Sequence, residues 1–344
     1  MDKFKKIGLT ALATSLVASS AYAAEVSVSG AAGLTFVTEN GNTGDAGDHG
    51  KGFGTDNSLS FSASGEMDNG WSVSAATAFT DAAALSSNSV TLTMGDMGKL
   101  AWGHSMAGLA GNYDDVGAGA YEETDDGAPT SLSTNLMGTT VDNGGIFYTS
   151  PSIDAAGASL TMHIGYTPKV GNADIAGGGA SGVQDMGSAQ NLGLTIAHES
   201  GLTVGAWVNE ISRNSTAGED SFQGAWYAKY SFGPIALAYG QSHVNNGVSG
   251  AADTAGVAKT FAAGTGLFEN EQYVVTMNVN DNLSVSYGKA DDTYDARAGA
   301  ASATTTGGGA VADVTMGMKS IQAAYSMGSM SIKAYRLDVD NVGY

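Results

Sequence analysis

The chain contains no cysteine, and it has only 14 lysine and arginine residues against 34 aspartates and glutamates. It also holds no unbroken apolar run of the ~18 residues that a membrane-crossing helix requires. Each absence excludes something. Without cysteine there is no thiolate ligand, and the chain suits an oxidising compartment. The scarcity of basic residues speaks against a nucleic-acid partner, because phosphate binding needs clustered Lys and Arg. Lack of a long apolar run excludes an ordinary membrane-spanning helix. It does not exclude a membrane barrel, whose strands alternate and look only half hydrophobic. An acid-rich surface adapted to salt would explain the charge equally well.

What the chain has in abundance is glycine, 50 of 344 residues, with an ordinary 42% of hydrophobic residues. The length alone suggests two domains, but all-β barrels routinely exceed the usual domain size. Residues 1–23 read as a secretory signal. Lys3, Lys5 and Lys6 precede the apolar stretch Ile7 to Ala18, and Ala21-Tyr22-Ala23 fits the small-x-small cleavage pattern. Removing that segment, net +2 from three lysines against Asp2, takes the formal charge of −20 to −22 for residues 24–344.

From Glu25 onward the pattern is two-residue alternation, the signature of half-buried strands. Val26, Val28, Gly30, Ala32, Leu34 and Phe36 share one face of the first segment. Leu59 and Phe61, then Trp71, Val73 and Phe79, mark the next two, turned at Asp68-Asn69-Gly70. Val90 and Leu92, then Leu100 and Trp102, complete a group of five. The alternation resumes at Ile146 and continues to Ala334, giving fifteen predicted strands and no helical periodicity. Connectors after even-numbered strands are short, such as Asp96-Met97-Gly98, Glu199-Ser200-Gly201 and Asn280-Asp281-Asn282. Those after odd-numbered strands are long: Asn40 to Asp56, Ser105 to Asn143, Thr167 to Ala189, Ser242 to Glu269 and Ala290 to Met318. Short turns at one rim and long loops at the other is the outer-membrane pattern. The non-apolar face is Ser, Thr, Gly and Ala, which suits a barrel with an apolar outside and a small, polar inside. Aromatic residues recur near strand ends (Trp71, Phe79, Trp102, Tyr166, Trp226, Tyr230, Tyr239, Tyr287), where interfacial girdles belong.

Two stretches carry a family resemblance. One is Gly98-Lys99-Leu100-Ala101-Trp102-Gly103-His104, which leads into the long acidic segment. The other is Tyr148-Thr149-Ser150-Pro151 with Ala156-Gly157 and the alternating residues to Tyr166. In these the chain resembles the general diffusion porins of Gram-negative outer membranes, particularly the alphaproteobacterial type. The resemblance implies a transmembrane antiparallel β-barrel of sixteen strands, a homotrimer in outer-membrane lipid, and a third long loop folded inward as the constriction. Residues 105–143 occupy that loop's place, with Asp114, Asp115, Glu122, Glu123, Asp125 and Asp126 as the expected constriction carboxylates. The chain departs from the family at His104, where Arg is frequent, and at Thr149, where an acidic residue is common. Inward positions of strands two to four are Ser60, Ser62, Ser72, Ser74, Thr91 and Thr93 rather than an arginine cluster. Lys229 and Lys333 have inward parity and partly replace it.

The expected function is a water-filled channel for passive diffusion of small hydrophilic solutes and ions, with cation preference from the acidic loop. The plain alternative is that these carboxylates only solvate an exposed loop. No catalytic arrangement stands out. His49, His104, His163, His198 and His243 lack a second ligand at metal spacing, with His163 and His198 read as lumen-facing. No cofactor is implied; calcium at Asp45 and Asp48 would lack the regular spacing of a calcium loop. An outer-membrane barrel enzyme of lipase or protease type, a substrate-selective channel and a surface adhesin are the competing classes, separable by conductance and by hydrolysis. Because barrel strand numbers are even, fifteen strands ending in Asp338 to Gly343 lead us to expect a fragment lacking its last loop and strand. The alternative is a strand missed within Ser105–Asn143 or Ala290–Met318.

Overall fold

Alternating apolar and polar residues build a sheet whose two faces differ, and the neighbours' backbone groups satisfy every ladder position. A computed structural model of the chain describes residues 25–40, 49–80, 84–104, 116–124, 144–170, 186–213, 220–245, 267–295 and 314–340. The expected signal, 1–23, lies outside them. The described residues contain no α-helix, one 3-10 turn at Gly95–Met97, and sixteen strands whose pairings are all antiparallel. The chain divides into two units, residues 1–106 and 107–344.

The first unit is a meander of β1 (Glu25–Asn40), β2 (His49–Glu66), β3 (Ser72–Thr80), β4 (Ala84–Thr93) and β5 (Lys99–His104). The second contains β6 (Gly145–Thr149), β7 (Ile153–Ala155), β8 (Ala158–Thr167), β9 (Met186–His198), β10 (Leu202–Arg213) and β11 (Ser221–Phe232). It continues through β12 (Ile235–Asn245), β13 (Leu267–Asn278), β14 (Leu283–Asp295), β15 (Val314–Met327) and β16 (Met330–Asp340). From β8 on, each strand pairs with the next in sequence. Fifteen of the sixteen are the alternating segments expected from sequence. The additional one, β7, is a three-residue strand on the end of β8, too short for alternation to reveal.

Several strands run further than their apolar pattern. Residues Asn40 to Asp56, expected as loop, include eight residues of β2, and Asn40 pairs with His49. Phe36 and Phe53 pack there at 4.9 Å between ring centroids. The same extension occurs where β12 meets β13 and β14 meets β15. Here the exposed face carries polar pairs: His243 with Glu269 at 3.2 Å, Lys289 with Asp291, and Thr293 with Thr315 at 2.8 Å. Backbone pairing continues without an apolar repeat to announce it.

The second unit is inverted relative to a water-soluble protein. Polar side chains are buried on one face, among them Asn191, Asn209, Gln223, Gln272 and Gln322, while Leu192, Phe222, Val275 and Ile321 are exposed on the other. Neighbours along β15 show the contrast: Ile321 is 63% exposed and Gln322 is 3% exposed. The exposed face has an apolar belt with two borders. Towards the turns lie Tyr325 and the stacked pair Tyr230–Phe232, 5.5 Å apart. Towards the loops lie Tyr239 and its register partner Tyr273, then Tyr287, each followed one exposed position further on by Gln241, Glu271 or Lys289. Aromatic rings between an apolar band and a charged rim are the interfacial girdles of a membrane barrel. The covered face differs from the expected small hydroxyl lining. Over β9 to β13 it is built from carboxamides and the Trp207–Tyr227 ring pair, 5.6 Å apart. His198 shares the parity of Leu194 and Ile196, so it belongs to the exposed face, contrary to expectation.

An arginine on the apolar belt must be desolvated in lipid, whereas one on the covered face keeps polar surroundings. Val275→Arg is expected to lower folding stability in lipid vesicles by about 2–4 kcal/mol, and Thr276→Arg by much less, as read by urea titration of tryptophan fluorescence.

Candidate functional site

The candidate site is a short hairpin seated on the covered face of β14, β15 and β16. The wall forms because two tight turns place these strands. Before β14, the Asn280 carboxamide oxygen accepts the backbone N–H groups of Asn282 and Leu283 at 2.9 and 3.0 Å, an Asx turn. Between β15 and β16, Met327 pairs with Met330 across a two-residue turn in which Gly328 takes φ 61°. That left-handed conformation is easy for glycine and matches the twist of the flanking strands. The resulting register sets Ser286, Gln322 and Tyr335 in one row, and Gly288, Ser320 and Leu337 in the adjacent one.

Residues 116–124 of the acidic segment lie on those rows. Their own fold is a narrow hairpin: Ala118 bridges Glu123, Gly119 N–H donates to the Glu122 carbonyl at 3.0 Å, and Thr124 N–H donates to the Gly117 carbonyl at 3.2 Å. Three contacts fasten it. Ala120 N–H donates to Ser286 Oγ at 2.8 Å. Gln322 Oε1 accepts from the N–H groups of Tyr121 and Glu122 at 2.8 and 3.0 Å, and its Nε2 donates to the Glu122 carbonyl at 2.8 Å. Thr124, fully buried, rests on Gly288, where any Cβ would overlap the threonine hydroxyl. The tip also packs through aromatic contacts. Tyr121 meets Tyr335 edge-on at 5.7 Å, and Lys333 Nζ lies 5.0 Å from the Tyr121 ring centre.

Of the six expected constriction carboxylates, Glu122 and Glu123 are on this hairpin and half-buried. Asp114, Asp115, Asp125 and Asp126 lie outside the described residues. Lys333 stands beside the hairpin, on the wall that carries it. Lys229 sits on the covered face of β11 with Nζ 5.4 Å from the Tyr227 ring centre. In the first unit Ser60, Ser62, Ser72, Ser74, Thr91 and Thr93 do share one face, since Ser64 pairs with Ser74, Ser74 with Thr91, and Ser72 with Thr93. Ser62 and Ser27 hydroxyls are 2.6 Å apart on that same face. Gln322, Ser286, Gly288 and Tyr121 were not expected as site residues. Parity alone would have pointed Gln322 at the covered face, but nothing local signals its partner.

The arrangement holds backbone and leaves side chains facing a polar space; it contains no reactive constellation. Among the described residues, no three His, Asp or Glu side chains gather closely enough to hold a metal ion. An open cleft at the turn ends of β7 to β9, lined by Asp154, Ser159, His198 and Glu199, adds no such group.

The fold has close counterparts. A family model described as Gram-negative porin matches residues 8–340. Among solved structures, OmpF of Salmonella typhi in complex with daunomycin is 17% identical, with a TM-score of 0.63 over 91% of this chain and 88% of that one. A porin refined at 1.8 Å is 17% identical, with a TM-score of 0.58 over 92% of this chain and 95% of that one. An anion-selective porin from Comamonas acidovorans is 14% identical, with a TM-score of 0.56 over 92% and 90%. At such identities the likeness is one of fold, that of an antiparallel β-barrel. No curated protein matches the chain.

If Gly288 provides the seat for Thr124, filling it should lift the hairpin. Gly288→Leu is expected to raise the labelling rate of an Ala120→Cys reporter by a bulky water-soluble maleimide about tenfold, the effect of losing roughly 1.4 kcal/mol of hairpin docking, near that of one net hydrogen bond. Unchanged labelling would show that the seat is dispensable.

Proposed function

Since this chain belongs to the Gram-negative porin family, we propose that it passes small hydrophilic solutes and ions by passive diffusion, with cation preference and no chemical step. Its place is the outer membrane of a Gram-negative bacterium, and its activity is that of a porin channel. The observation that carries the finer reading is the hairpin 116–124 fastened to the polar face of β14 to β16. A segment so placed narrows the water-filled space that a barrel of about sixteen strands encloses. Carboxamides and hydroxyls on the wall exchange hydrogen bonds with water and with a passing solute on equal terms, so a solute is neither held nor altered.

Cation preference follows from charge. Glu122 and Glu123 sit on the narrowing element, and Asp114, Asp115, Asp125 and Asp126 flank it in sequence. Low-dielectric walls focus the potential of such carboxylates into the water between them. Lys333 offsets part of that charge, but as one cation among six acids. The fold leaves selectivity open, given that an anion-selective porin shares it. We further propose a homotrimer, with the small residues Gly30 and Ala32 on the apolar face of β1 allowing close approach of a neighbouring subunit in lipid.

Purified protein in liposomes should swell with small sugars, and its reversal potential in a salt gradient should take the cation-selective sign. Replacing Glu122 and Glu123 by Gln is expected to lower the cation-to-anion permeability ratio roughly threefold, equivalent to ~0.5 kT of local potential because the ratio counts cation gain and anion loss together. Impermeable liposomes containing folded protein would sink the channel reading; an anion-selective wild type would sink only the charge argument.

A further inference from the structure

A primary carboxamide offers one oxygen with two lone pairs and one nitrogen with two hydrogens. In Gln322 all four are engaged. The oxygen accepts from Tyr121 N–H and Glu122 N–H, and the nitrogen donates to the Glu122 carbonyl and, at 2.9 Å, to Ser320 Oγ. Only one orientation of the amide fits, because two backbone donors face the oxygen and a carbonyl faces the nitrogen. The side chain is 3% exposed, so water does not compete. Both backbone groups of Glu122 are thereby held by a single side chain.

We propose that Gln322 is a positioning residue for ion selectivity: it latches residue 122 to the wall and so fixes where the carboxylate of Glu122 stands in the channel. This rests on the channel reading above. No other side chain reproduces the latch. Glutamate accepts but, when ionised, does not donate to the Glu122 carbonyl. Asparagine is shorter by one methylene and does not span the gap. Leucine fills the space, leaves the N–H groups of Tyr121 and Glu122 without partners, and leaves the Glu122 carbonyl with Gly119 N–H alone. Water can replace those partners once the hairpin lifts, so losing the latch costs position more than it costs the barrel. The latch uses no ion pair. Salt therefore screens nothing in it, and the wild-type latch has no titrating member.

The test is single-channel recording in planar bilayers on the full chain, comparing wild type, Gln322→Leu and Gln322→Glu. With the latch gone, Gln322→Leu is expected to change conductance by at least about 1.5-fold, since current follows the bore of the narrowest part, and to move the reversal potential towards zero. Heat-dependent migration on a denaturing gel confirms that the barrel has folded. Gln322→Glu supplies a readout that a purely structural role would not move. At neutral pH its carboxylate faces the Glu122 carbonyl, acceptor against acceptor, and it should resemble the leucine variant. In acid it gains a proton to donate and should return towards the conductance of wild type recorded at the same pH, a reference that already carries the protonation of Glu122 and Glu123. That step decides the matter even if Gln322→Leu fails to fold. Folded Gln322→Leu with wild-type current and reversal potential would overturn the latch and leave the channel standing, as would a Gln322→Glu channel with no pH step relative to wild type. A wild type that passes no current would overturn both.

Discussion

In the hydrocarbon core of a membrane there is no water to satisfy a backbone N–H or C=O, and each orphan costs several kcal/mol. The other features of this chain follow from that constraint. It selects antiparallel ladders, in which every strand completes its neighbours, and the observed pairings from β8 to β16 run in unbroken sequence order. Ladders impose a side-chain period of two, so one face meets lipid and the other meets water. Leu192, Val275 and Ile321 occupy the first, and Asn191, Gln272 and Gln322 the second. The same ladders continue past the apolar belt, where Lys289 with Asp291 and Arg336 with Asp338 border it with charge.

A segment that leaves the ladder and rests on its polar face meets the problem again on a smaller scale. Residues 116–124 have their own backbone groups to satisfy. The hairpin satisfies part of them internally, through Gly119 with Glu122 and Thr124 with Gly117. The remainder is met by side chains of the wall, Ser286 and Gln322. These anchors are uncharged, so neither supplies a counter-ion to the carboxylates of the hairpin. Attachment and charge thus reside in different groups, joined through the position of residue 122.

How far the sequence discloses this depends on the range of the interaction. Alternation is local, and it identified fifteen strands and their faces. Turn chemistry is local too: Asn280-Asp281-Asn282 and Gly328 announce the ends of β13 to β16. Strand extent beyond the membrane was not legible, because His243, Glu269 and Lys289 pair without an apolar repeat. The three residues of β7 were too few to show a period. His198 was misplaced by one position at the end of β9, where a single step reverses the face. The latch was the least legible feature. Gln322 lies 200 residues from Glu122 in sequence, and no pattern in either segment names the other. The acidic loop was recognised from its charge, while the residues that hold it are neutral and unremarkable in composition.

Lys333 shows how little sequence parity says about electrostatic role. Its inward position suggested a cation facing the acidic loop across the channel. In the folded chain its ammonium instead lies over the ring of Tyr121, and Tyr335 packs against that ring from β16 itself. A cation over an aromatic face keeps its charge, since the attraction is to the ring quadrupole. The lysine therefore acts on the same stretch of water as Glu122, from the same side. Opposite charges on one wall give a potential that falls off faster than that of either alone, so its influence is confined to solutes passing close to the hairpin. Charges on facing walls would instead orient a dipolar solute across the whole bore. In the channel proposed above, discrimination near the hairpin would be set by how firmly one short segment is pressed against β14 to β16.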